Sequence, residues 1–197
     1  MIEFLIAQKS IITVLHVLVM AIGVGSATIT DVFFFRFLKN FRISRQESAT
    51  MKVFSGVIWV ALILAVITGV ALYLTDPARY NATPKFLVKV VVIGVIVLNG
   101  LLLNFYISSR LTHVSFPTAE DGRRDVFRGF RRLAFASGAV SMTSWYTALA
   151  IGATSSIPFS FGQIGGVYAG ALALAIIGSQ LMERRYAILS KNTGRTL

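Results

Sequence analysis

The sequence predicts an all-α membrane protein, a polytopic helical bundle of five transmembrane helices. Of its 197 residues, 55% are hydrophobic and only 14% are charged, and the mean hydropathy is +0.74. Soluble domains carry about 25% charged residues. Five apolar runs each reach the length of about 20 residues that crosses a bilayer, and none alternates like a barrel strand. The expected spans, within a single domain 1–197, are approximately 10–39, 53–74, 86–108, 130–152 and 161–182.

The distribution of basic residues predicts the topology of these spans. The net charge is +11 and there are 19 Lys and Arg residues. Five lie at the end of span one or before span two, six lie before span four or at its start, and four lie in the tail, whereas Lys9, Arg79, Lys85 and Lys89 lie toward the other side. The positive-inside rule then places the N-terminus outside and the C-terminus in the cytoplasm. We expect a multi-pass protein of a prokaryotic plasma (inner) membrane, with anionic lipids and no nucleic acid at the basic face.

Several kinds of chemistry are excluded by what the chain lacks. It has no cysteine, which excludes disulfides, thiolate metal sites and a catalytic cysteine. It also has no phosphate-binding loop and no pair of histidines four residues apart.

Span one carries two ionisable residues within an apolar run, SIITVLHVLVMAIGVGSATITDVFFFRFLKN. His16 lies well inside the span, and Asp31 lies near its cytoplasmic end. Charged or titratable groups are costly in a membrane, so each is a functional candidate. For Asp31, an ion pair with a nearby arginine and a proton relay remain alternatives.

Polar and aromatic residues of all five spans fall at one depth, just below the outer surface. At 1.5 Å per residue, His16 and Thr68 lie about 10 Å from the outer ends of their spans, and Lys89 about 7 Å. We predict a site in which His16 and Lys89 are catalytic. The expected ligand-binding residues are His16, Thr68, Gly69, Lys89, Trp145, Tyr146 and Gln163. The alternative is that His16 only hydrogen-bonds Thr68 or Gln163 as part of helix packing.

The chemistry of this layer favours a haem over another metal. A neutral imidazole is a common axial ligand of haem iron, and Lys89 could pair with a propionate or donate a proton. His16 is therefore the expected metal ligand of a b-type haem. Copper is the weaker candidate, based on Met20 four residues after His16.

Three motifs of spans one to three resemble the HemJ-type protoporphyrinogen oxidases and the related CopD-like membrane proteins. They are the first-span histidine in LHVLVMAIGVGSATI, the end of span two in TGVALYL, and the early lysine in PKFLVKVVVI. The resemblance covers roughly residues 10–110. It implies that His16 and Lys89 are the functional pair and that His16 is associated with haem b. A histidine deeper in span three is absent, and Asn99 and Asn104 stand in that region.

The leading functional hypothesis is a haem-dependent oxidoreductase. It would bind haem b in the outer half of the bundle and transfer electrons to or from a lipophilic substrate, a quinone or a porphyrinogen. One axial ligand is enough for a five-coordinate haem, and its sixth position would then be open or taken by a ligand that the sequence does not identify.

Two alternatives belong to other functional classes. The first is a small ion or proton channel or transporter, lined by His16, Asp31, Asn99, Asn104 and Ser141. The second is a structural subunit of a membrane complex. Gly162, Gly166 and Gly170 recur at intervals of four, which places them on one face of span five and predicts tight helix contact within the chain or in a homo-oligomer.

Overall fold

The computed structural model describes residues 2–40, 45–108, 124–154 and 158–193, which are almost entirely helical and contain no strand. The helices, in chain order, are α1 (Ile2–Ala7), α2 (Lys9–Asn40), α3 (Arg45–Thr75), α4 (Pro77–Asn81), α5 (Pro84–Leu101), α6 (Arg124–Ala153) and α7 (Phe161–Thr193). A π-helical stretch, Leu102–Ser108, continues α5. We call the end of the bundle where α2, α5 and α7 begin the upper end, and the opposite end the lower end.

Four of these helices are long and apolar enough to cross a membrane. The segments are Lys9–Phe33, Ala49–Thr75, Pro84–Phe105 and Phe161–Arg185. Their outward faces carry large exposed apolar side chains such as Val14, Leu98 and Val167. In water such faces would be very costly, whereas in a bilayer they contact acyl chains. The prediction of an all-α multi-pass membrane protein is thereby confirmed.

Helix α6 contains the predicted fourth span but is not among those four. It packs against α2, α5 and α7 and buries Ala134, Phe135, Ser144 and Ala148 completely. A helix surrounded by other helices can carry polar side chains, because these find partners in the protein rather than in lipid. The same position therefore explains both its burial and its polar composition.

The buried apolar core lies between α2, α3, α5, α6 and the upper half of α7. Met20, Val24, Leu62, Val92 and Trp145 are among its members. Among the described glycines, Gly23 permits the closest contact between two helices. A Cβ at this position would lie 2.8 Å from two ring atoms of Trp145. This contact fixes the distance between α2 and α6 at mid-height.

Hydrogen bonds between helices satisfy polar groups of α6. Asn99 of α5 and Ser137 of α6 are joined twice, through Ser137 Oγ to Asn99 Oδ1 (2.6 Å) and Asn99 Nδ2 to the Ser137 carbonyl (3.0 Å). The hydroxyls of Ser144 and Tyr168 lie 2.8 Å apart. Asn104, which the channel hypothesis placed on the same path as Asn99, is instead exposed. Asn99 and Asn104 therefore do not line one path.

The connection between α3 and α5 is a short helical turn at the upper end. Asp76 caps α4 by accepting a hydrogen bond from the Arg79 amide (3.1 Å). Thr83 and Pro84 stand at the N-cap and first position of α5 as their sequence predicts. However, the Thr83 hydroxyl donates to the Arg79 carbonyl (2.7 Å) rather than capping α5. The hydroxyl thus ties α4 to the start of α5.

The three glycines of span five lie on the outward face of α7. Gly162, Gly166 and Gly170 are exposed, and a Cβ at any of them would meet no atom within 4 Å. The prediction of tight contact at these glycines is therefore wrong within the chain. Their contact with a second chain stays a prediction.

Candidate functional site

The site is built around His16, which α2 places against α3 near the upper end. Its Nδ1 lies 2.8 Å from the Thr68 Oγ1. The Thr68 hydroxyl proton is already donated to the Leu64 carbonyl (2.7 Å), so the Thr68 oxygen is an acceptor toward the ring. Nδ1 therefore carries the ring proton, and Nε2 carries the lone pair. The threonine thus selects one tautomer of the imidazole.

The lone pair of His16 faces Lys89. The Nζ of Lys89 lies 3.2 Å from Nε2 of His16, so the lysine donates and the imidazole accepts. His16 is 9% exposed, and Lys89 is half-buried. The sequence placed these two residues at matched depth on separate helices, and the structure brings them into direct contact.

Lys89 lies between His16 and the upper end of α6. Its Nζ would lie 3.6 Å from a Cβ at Gly152, which is exposed. One turn above, Lys85 donates from Nζ to the Thr154 carbonyl (2.6 Å). No carboxylate of the described residues lies within ion-pair distance of Lys89. Within the described part of the chain, Lys89 is therefore a hydrogen-bond donor without a counter-ion, close to the upper surface.

Two further predicted residues lie beside the histidine. A Cβ at Gly69 would be 3.5 Å from His16 Cε1, an ordinary contact. Trp145 is 3% exposed and lies below His16, where both line a cavity of about 10 Å³ with Met20, Ala148 and other apolar side chains. Trp145 therefore closes the lower side of the site.

Tyr146 and Gln163 do not join the layer, although their depth predicted it. Tyr146 is 47% exposed, and its hydroxyl lies 3.1 Å from Thr28 Oγ1. Gln163 is exposed and accepts a hydrogen bond at Oε1 from the Ser160 amide (2.9 Å), while the Gln163 amide donates to Ser160 Oγ (3.3 Å). This reciprocal pair is a capping box at the start of α7. Both residues have structural partners away from His16.

The residues around His16 do not fit a haem or a copper ion in this arrangement. Both ring nitrogens are engaged, one with Thr68 and the other with Lys89. The adjoining cavity of about 10 Å³ is far below the several hundred Å³ of sites that enclose a small-molecule cofactor. The described residues also contain no cluster of three or more His, Asp or Glu side chains that could hold a metal ion. Ligation at Nε2 would require Lys89 to withdraw.

Gly152, near the end of α6, and Thr154, which directly follows that helix, were not singled out from the sequence, although they lie beside Lys89 and Lys85 of α5. They could have been found by counting residues from the ends of the spans, because α6 ends at the same level at which α5 begins. A glycine there leaves room for a long side chain from a neighbouring helix.

The arrangement can donate a proton or hydrogen bond from Lys89 and accept one at His16. Comparisons with protein-family models, with curated proteins and with solved structures find no match to this chain.

Proposed function

We propose that this multi-pass membrane protein binds a lipophilic small molecule of the quinone or porphyrinogen class against Lys89, at the exposed upper side of the Lys89–His16 pair beside Gly152 and not in the small cavity below His16. At this pair the molecule gains or loses a proton, because Lys89 can donate one and His16 can accept one. The observation that carries the proposal is the contact of 3.2 Å between Lys89 Nζ and His16 Nε2, without a carboxylate partner for the lysine among the described residues. The resemblance of spans one to three to the HemJ-type oxidases is in keeping with this pair.

Each residue has a distinct role in this proposal. The Lys89 ammonium donates to a carbonyl or carboxylate oxygen of the ligand and thereby positions it. His16 then offers its Nε2 lone pair to a proton released by the ligand. Thr68 holds Nδ1–H and keeps the basic nitrogen aimed at Lys89 and its ligand, as an orienting group does in other acid–base sites. No step depends on a haem.

The proposed topology has five spans, with α6 as the fourth. The upper end then faces outside and the lower, basic end faces the cytoplasm of a prokaryotic cell, in keeping with the positive-inside rule. The ligand would therefore reach Lys89 from the outer leaflet.

The test is binding of a short-chain ubiquinone analogue to the purified protein in phosphatidylcholine vesicles. Lys89→Met is expected to weaken binding about tenfold, the loss of one charge-assisted hydrogen bond of about 1.4 kcal/mol. Lys85→Met is the matched control, because it removes an equal charge one turn away. If neither variant changes the affinity, or the two change it equally, the proposed site is wrong.

Haem b at His16 stays a prediction with its own test. The absorbance spectrum of the protein as purified is compared for wild type, His16→Ala and His113→Ala, the last being the only other histidine of the sequence. The haem prediction expects a reduced-minus-oxidised band that is lost in His16→Ala alone. If the purified wild-type protein shows no haem band, the haem prediction is wrong. Ubiquinone binding is tested separately by the experiment above.

A continuous ion path is less well supported by the described residues. The core between His16 and Asp31 contains the apolar side chains of Met20, Val24 and Trp145. A channel would need water or polar groups at that level. Proton flux into vesicles, unchanged between wild type and an Asp31→Asn variant, is the expected result.

A second candidate function is favoured by the outward glycines of α7. The open space above Gly162, Gly166 and Gly170 would let another transmembrane helix approach closely. A structural or oligomeric role then predicts that Gly166→Leu disrupts assembly, measured by crosslinking in the membrane, without a change in ubiquinone binding. Unchanged crosslinking would contradict this role.

A further inference from the structure

A second ionisable group lies in the lower half of the bundle, apart from the histidine and lysine. Asp31 of α2 is only 4% exposed. Ser141 of α6 donates a hydrogen bond to its carboxyl group. The other oxygen, Oδ2, is buried and has no hydrogen-bond partner.

A carboxylate in this position would be very costly. Removal of an ionised carboxylate from water is offset only by an opposite charge or by several hydrogen bonds. Asp31 has one hydrogen bond from a neutral hydroxyl and no ion pair within the described ranges. A neutral carboxylic acid avoids most of this cost, because no net charge is buried.

Among the side chains that the structure describes, no charged group on a neighbouring helix is a counter-ion of Asp31. On α3, the charged side chain that the structure describes toward this end is Lys52, which is exposed. On α6, Arg132 lies 3.7 Å, measured from Nε, from Oε2 of Glu183 on α7 and is therefore paired elsewhere. The Tyr146 hydroxyl on α6 is hydrogen-bonded to Thr28.

We propose that Asp31 is a proton-binding site, whose carboxyl group holds a proton in the resting protein and releases it from Oδ2 when water or a base reaches that atom. The site is independent of the chemistry proposed for His16 and Lys89, because Met20, Val24 and Trp145 lie between the two. A sodium ion is a poorer occupant, since it would need several oxygen ligands and only those of Asp31 and Ser141 are joined here.

The test is infrared spectroscopy of the purified protein in phosphatidylcholine vesicles at pH 7. The proposal expects the carbonyl stretch of a protonated, buried carboxylic acid in the wild type. Asp31→Asn should abolish this band. Asp76→Asn should leave it unchanged, because Asp76 caps an exposed turn. Ser141→Ala should keep the band and shift it to higher frequency, since the carboxyl group loses its hydrogen bond.

Two results would overturn the proposal. The first is a wild-type spectrum without the band, which shows that Asp31 is ionised. The second is a band that remains in Asp31→Asn and so belongs to another group. If Asp31→Asn does not fold, modification of wild type by dicyclohexylcarbodiimide, which reacts with protonated carboxyl groups in apolar surroundings, provides the assignment by peptide mass. Labelling at Asp31 supports the proposal. If sodium at constant pH suppresses this labelling, Asp31 binds sodium and the proposal of a proton site is wrong.

Discussion

Thr68 decides the chemical state of His16, although it does not face a ligand itself. Its oxygen accepts from Nδ1 because its own proton is committed to the Leu64 carbonyl. The consequence is an imidazole with one defined basic nitrogen, which lies against Lys89. A serine could do the same, whereas a valine could not.

Thr68→Val is expected to destabilise the protein by about 0.5–1.5 kcal/mol, the net contribution of one hydrogen bond, because the Ala65 backbone remains as a partner of the His16 ring. The free energy of unfolding in a mixed-detergent titration measures it. Thr50→Val is the control, because Thr50 also bonds back to its own helix, to the Gln46 carbonyl, and is exposed. Equal losses in the two variants would contradict the role of the hydrogen bond to His16.

Gly23→Ala is expected to cost about 1–3 kcal/mol, the range for overpacking a close-packed core. The added methyl group would lie 2.8 Å from ring atoms of Trp145, which is almost fully buried and cannot move aside. Gly25→Ala, two residues along the same helix, meets no atom within 4 Å and should be neutral or slightly stabilising. Thermal unfolding followed by circular dichroism compares them, and similar midpoints would exclude a tight contact at Gly23.

The sequence could predict the depth of each polar residue but not the direction in which it points. Depth follows from the number of residues to the end of a span, so His16, Thr68 and Lys89 were correctly expected at one level. Direction depends on how each helix rotates about its axis. The Tyr146 hydroxyl instead contacts Thr28, which lies twelve residues beyond His16 on α2, and the side chain is exposed.

Among the helices, α7 has the best-defined beginning. Ser160 and Gln163 form reciprocal side-chain-to-backbone bonds there. This spacing, a serine followed three residues later by a glutamine before an apolar run, is a recognised start signal. This capping box could have been predicted from the sequence, and it gives Gln163 a structural role.

Gln163→Ala and Ser160→Ala are each expected to cost about 0.5–2 kcal/mol, the usual range for loss of a helix cap. The reason is that amides at the start of α7 lose their acceptors. Hydrogen exchange of the amides of residues 160–163 should accelerate in both variants, while exchange in α5 stays as in wild type. Unchanged hydrogen exchange at these amides would show that the capping box does not stabilise the start of α7.

The helices themselves were predictable from hydropathy, and their irregular parts were not. The predicted spans lie within α2, α3, α6 and α7 and within α5 with its π-helical continuation. The short helices α1 and α4 and the π-helical stretch Leu102–Ser108 have no hydropathy signature, because they depend on local backbone hydrogen bonds and on packing.

For the molecule as a whole, the position of α6 determines the topology. The sequence has no cysteine, so single cysteines can report which side a residue faces. In the five-span topology, Asn81→Cys and Phe159→Cys should react with a membrane-impermeant maleimide on intact cells. Thr118→Cys, outside the described ranges and expected in the cytoplasm, should react only after permeabilisation. If Phe159→Cys and Thr118→Cys react from the same side, α6 does not cross the membrane.

The contact of the Trp145 ring with Gly23 also has a consequence for the passage of protons through the bundle. It stands at mid-height between a basic site above and an acidic residue below, within an apolar core. A hydrated proton finds no partner there and meets a large dielectric barrier. In the part of the chain that the structure describes, this apolar layer separates the titratable groups of the upper and lower halves, and we expect it to oppose the passage of charge between them.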